Sequence, residues 1–187
     1  MEFSVAKNPR EIGTPVTKLY ERARQEVLEA EAYTPASRED LIARLPDFSA
    51  ARNSMYYARS SGLPPNPANR PDINFDGLED LLKTSDGDSF LIADSGSMDQ
   101  DRILIFGSTK NLQYLAAATV WHMDGTFWAT PGLFSQLFSV HADVVGQTFP
   151  LIYMLLPNKT IECYCRAFDL LKTACANRNL PILALKK

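Results

Sequence analysis

Between Leu63 and Asp72 the chain reads Leu-Pro-Pro-Asn-Pro-Ala-Asn-Arg-Pro-Asp, four prolines in ten residues. Each proline fixes φ and removes a backbone donor, so this stretch is neither helix nor central strand. It predicts an extended, stiff connector over 63–77, and the residues on either side must then find separate cores. The 187 residues accordingly divide into a helical N-terminal region (1–62), a Pro-rich linker (63–77) and a larger unit (78–187).

Composition narrows the class. With 45% hydrophobic and 22% charged residues the chain is neither disordered throughout nor a long coiled coil. A net charge of −3 sets up no global field toward nucleic acid. The charge is unevenly spread, net −4 over residues 1–90 and net +1 over 91–187, so the second half must rely on burial. The three cysteines, Cys163, Cys165 and Cys175, crowd into one helix-like stretch and make no disulfide framework. No cysteine precedes Cys163, which excludes a zinc finger in the first half. The N-terminus lacks the pattern of a signal peptide, and the longest apolar run, around Pro150–Leu156, is too short to span a bilayer. A reducing compartment and no membrane partner are expected.

The first region reads as helices. Thr14-Pro15 opens one with Leu19, Ala23, Val27 and Ala30 at helical spacing, and Pro35 closes it. Ser37-Arg38-Glu39-Asp40 resembles a capping box and predicts a short helix with Leu41, Ile42 and Leu45 as its apolar face. After Pro46-Asp47 a further helix is expected over about 49–60, closed by Gly62. Two helices and a tight turn resemble a helix-turn-helix, with Arg44, Arg52 and Arg59 as candidate phosphate contacts and Tyr56 beside them. The competing reading makes these arginines the solvated face of an amphipathic helix with Met55 inward, and the acidic surroundings favour it.

The larger unit carries strand signals. Phe90–Ala93 and Arg102–Gly107 are short apolar runs bounded by turn formers, and Thr109 is expected to cap a short helix through Leu112, Leu115 and Ala116. Thr119–Trp128 alternates. Val120, His122, Asp124, Thr126 and Trp128 share one face, and Trp121, Met123 and Phe127 the other. Phe134–His141 and Phe149–Leu156 are two more strands, with Asp143 in the loop between them. Short connections favour antiparallel pairing. Thr160 caps a helix whose apolar face is read as Ile161, Tyr164, Cys165, Phe168, Leu171 and Cys175, leaving Cys163 partly exposed and Glu162 and Asp169 on the polar side. Asn177–Pro181 closes the helix, and Ile182–Leu185 begins a fourth strand. The fold class is α/β.

Trp121-His-Met-Asp-Gly-Thr-Phe127, followed by Pro131, Phe134-Ser-Gln-Leu137 and His141, resembles the opening of a Mutator-like element (MULE) transposase domain. Pro150–Thr160 with Tyr164 and Phe168 continues the pattern, which spans about 102–185. The N-terminal region resembles the stretch that joins a zinc finger to this domain in animal relatives, without the finger. The resemblance implies a partial RNase H-like mixed sheet of the DDE type, in which three acids hold two Mg²⁺ or Mn²⁺ ions for DNA strand cleavage and transfer. Asp124 matches the first acid. The second is expected just after the fourth strand, where Ala184-Leu185-Lys186-Lys187 stands, and the third has no counterpart in residues 1–187. Trp128 also stands where a basic residue usually follows the motif.

One carboxylate cannot hold two metals, so Asp124 reads as a vestigial metal ligand, with Mg²⁺ or Mn²⁺ expected only if the missing acids lie beyond the C-terminus. His122 and His141, on neighbouring strands, could join Asp124 in a Zn²⁺ or Fe²⁺ site, although core or surface histidines are commoner. Ending the sheet here would leave an uncovered edge, which predicts self-association or a protein partner. Two functions follow. One is a transposase-derived nuclear protein that binds DNA weakly without cutting it. The other is an interaction module in which the N-terminal helices and proline run recruit proteins, with the α/β part as scaffold and the cytoplasm open to it. Steep salt dependence of duplex binding separates them, because phosphate contacts release counterions.

Overall fold

The computed structural model describes residues 14–30, 35–61 and 63–181, which fall into two units divided between Asn66 and Pro67. The fourth strand expected at 182–185 and the helix-closing Gly62 lie outside the described residues.

The first unit holds helices α1 (Val16–Ala30), α2 (Pro35–Arg44) and α3 (Phe48–Ser60). Val16, Leu19, Ala51 and Met55 form its core, with Tyr20 and Phe48 packed edge-on beside it. Asp47 caps α3 by accepting the Ala50 N–H at 2.8 Å, which, with a second bond from Ser49, holds its carboxyl below the usual range. The expected capping box is not one. α2 starts at Pro35, two residues before Ser37, because proline suits the first helical turn, where its missing N–H costs nothing.

The second unit is an α/β layer. Strands β1 (Leu91–Asp94), β2 (Leu104–Phe106), β3 (Trp121–Thr126), β4 (Gln136–Val144) and β5 (Gln147–Leu156) form one sheet in the order β1-β2-β5-β4-β3. All four pairings are antiparallel. An RNase H-like sheet contains parallel pairs as well, and none occurs among the described residues. Helices α4 (Thr109–Ala117) and α5 (Ile161–Ala176) lie on one face: Trp121 Nε1 donates to the Leu115 carbonyl of α4, and Phe138 packs on Tyr164 and Phe168 of α5. Ile103, Ile105, Val140, Ile152, Met154 and Leu156 fill the space between, each fully buried, a contribution of about 1.5–3 kcal/mol per side chain.

Several local expectations are corrected. Ser108, not Thr109, caps α4, its hydroxyl accepting the Asn111 N–H. Helix α5 buries Cys163, Ala167, Leu171, Ala174 and Cys175, while Cys165 and Ile161 are exposed. The reading from sequence therefore exchanged the two cysteines. It chose the bulkiest side chains, whereas the small residues at i, i+4 and i+11 let the helix axis approach the sheet. Burial raises the pKa of both Cys163 and Cys175, which keeps these thiols protonated.

Asp143 is in β4 rather than in a loop, because β4 and β5 continue to a two-residue turn at Val145-Gly146. Both turn residues have positive φ, 53° and 78°, as a type I′ hairpin turn requires. A β-branched L-residue in that conformation is disfavoured by about 1–2 kcal/mol. Val145 is fully exposed, so no packing offsets the strain. Val145→Asn should raise the urea midpoint of unfolding without changing the slope; an unchanged or lower midpoint would contradict this. Further along the hairpin, pairing steps from Val140–Ile152 to His141–Pro150 and leaves Leu151 as an extra residue. Its carbonyl accepts from Asn111 Nδ2, and Pro150, which has no N–H, sits beside the bulge.

Candidate functional site

Cross-strand pairing sets the residues of the sheet face turned away from α4 and α5. One row runs Leu104, Leu155, Leu137, Thr126; the next runs Phe106, Tyr153, Ser139, Asp124; His122 and His141 are paired beyond them. Asp124 thus stands in mid-strand on β3, at one edge of the sheet, and is exposed. Its Oδ1 accepts the Gly125 N–H at 2.8 Å, and its carbonyl accepts from Ser139 Oγ at 3.4 Å.

The neighbouring polar groups are occupied with one another. His141 Nε2 lies 2.8 Å from Ser139 Oγ, and His122 Nε2 lies 3.8 Å from Asp143 Oδ2. Asp143 also accepts from Thr148 Oγ1 across the hairpin. Among the described residues no three His, Cys, Asp or Glu side chains converge as a metal-binding group, so the His122–His141–Asp124 arrangement does not form there. Strand pairing explains it. The Ser139 hydroxyl engages His141, and His122 turns toward Asp143. Glu162 and Asp169 are exposed on α5, Asp169 paired with Lys172 at 2.9 Å.

Gly125 gives the Asp-Gly-Thr-Phe motif a structural meaning. A Cβ built on it would lie 1.8 Å from Nε2 of Gln136, a buried side chain whose Oε1 accepts from the Tyr164 hydroxyl at 2.7 Å. The glycine is therefore the socket that lets β3 pass over Gln136 and aim Asp124 to the opposite face. Beyond the strand, Trp128 is 93% exposed, and Phe127 receives the Lys159 ammonium over its ring at 3.8 Å.

An anchor that sequence reading missed fixes the other end of the sheet. Arg102, 4% exposed, forms a two-pronged pair with Asp94 at 2.8 and 2.6 Å. It also donates to the carbonyls of Arg70, Pro71 and Ile73, and lies over the Phe75 ring. Arg70 in turn donates to the carbonyls of Gln100 and Leu133. The second half of the proline-containing stretch is thus tied to the sheet unit. Burial alone would raise the Asp94 carboxyl, but the bonds from Arg102 and the Gly96 N–H outweigh it and hold the pKa below its ordinary value. Asp99, bonded to Ser95 Oγ and the Arg166 guanidinium, is lowered against burial in the same way. The available signal was an arginine bordering an apolar strand eight residues after an aspartate.

The basic candidates of the first unit are each engaged differently. Arg44 pairs with Asp40 one turn earlier at 3.0 Å, both exposed. Exposed Arg52 stacks over Tyr56. Arg59 donates to the Thr14 carbonyl at 2.6 Å and so ties α3 to the start of α1, with its Nε buried and unpaired. No helix among the described residues is long and apolar enough to cross a membrane.

No family model, no curated protein and no solved structure matches this chain.

Proposed function

We propose that this chain derives from a MULE-type transposase and binds duplex DNA without cutting it. The observation that carries the reading is the placement of Asp124. It is exposed at the middle of the first strand of an antiparallel β3-β4-β5 meander, which is followed directly by α5. A DDE-type, RNase H-like fold and nuclear residence belong to the same proposal. The all-antiparallel sheet departs from that fold, and the proposal takes the departure as part of what separates this chain from an active enzyme.

The chemistry within residues 1–187 favours binding over cleavage. Among the described residues Asp124 belongs to no group of three His, Cys, Asp or Glu side chains that could hold a metal ion, and two divalent ions need shared acidic ligands to sit close together. A single exposed carboxylate holds Mg²⁺ or Mn²⁺ only loosely. Phosphate contacts would come from exposed Arg44 and Arg52 and from neighbouring basic residues, a small and salt-sensitive footprint.

Supercoiled plasmid incubated with the protein and Mg²⁺ or Mn²⁺ should be retarded on a gel at low salt yet remain supercoiled. Nicks that disappear in Asp124→Asn would show an active site and overturn the non-cutting half. Absence of retardation at low salt would overturn the DNA-binding half.

A second reading has its own observation. Every described residue from Leu63 to Asn69 is exposed, so the prolines are free to meet an aromatic groove. In that reading the α/β unit is a scaffold, and capture of a protein partner is insensitive to salt and lost on replacing Pro64 and Pro65 by alanine.

A further inference from the structure

We draw no further inference here: the strongest candidate, the surface patch of Phe127 and Trp128 at the end of β3 with the Lys159 ammonium over the Phe127 ring, carries nothing because nothing in the structure shows what covers it.

Discussion

Asp94→Ala is expected to lower the stability of the sheet unit by about 3 kcal/mol. The side chain of Arg102 is 4% exposed and that of Asp94 24% exposed, so removing the carboxylate leaves a buried guanidinium with backbone carbonyls and the Phe75 ring as its partners and no counter-charge. Breaking such a pair costs more than the pair itself contributes, because the orphaned charge cannot regain water. Asp94 keeps some solvent contact, which places the loss at the lower end for buried pairs. Both tryptophans, Trp121 and Trp128, belong to this unit, so tryptophan fluorescence during urea unfolding reports it directly. A loss well under 1 kcal/mol would mean that Arg102 is held by Arg70, Pro71 and Ile73 alone.

The same carboxylates set an acid limit. Asp94 and Asp99 have native pKa values below the ordinary 3.8, so the unfolded chain takes up their protons first as pH falls. Their contribution is complete above about pH 4 and is lost as pH drops through the lowered native values. Asp94→Ala should therefore show a shallower fall in stability below pH 4 than the parent chain. Parallel acid curves would contradict the assignment.

Gly125→Ala is the second large effect, an expected loss of about 2 kcal/mol. The new methyl meets Gln136 at an impossible distance, and Gln136 can move only by giving up its bond to Tyr164 inside the core. Gln136→Ala in the same chain makes room. The two substitutions should therefore be less costly together than the sum of their separate losses, a coupling visible in a double-mutant cycle. Strict additivity would show that the motif glycine is needed for some reason other than clearance over Gln136.

The parts of the fold that were legible in sequence are those where one local rule dominates. Thr160 caps α5, and alternation over Trp121–Thr126 correctly places Asp124 and His122 on the face opposite Trp121. The parts that were not legible depend on packing across elements. The buried stripe of α5 runs through Cys163 and Ala167, small residues that look neutral until the sheet beneath them is known. The Val145-Gly146 turn escaped because a β-branched residue at positive φ runs against propensity, and so Asp143 was read as loop. Arg102 escaped because, apart from Asp94, its partners are backbone carbonyls some thirty residues away. For the candidate site, Asp124 could be singled out by its motif. The pairing of His141 with Ser139, and of His122 with Asp143, followed only from strand register.

The most direct measurement is the affinity of the full chain for a fluorescein-labelled duplex by anisotropy, repeated across a salt series. A transposase-derived binder should show log K falling linearly with log salt, with a slope of about −2 or steeper, since each neutralised phosphate contributes about −0.9. Asp124→Asn should leave that slope unchanged. Binding that is absent at low salt, or present but indifferent to salt, would contradict the reading.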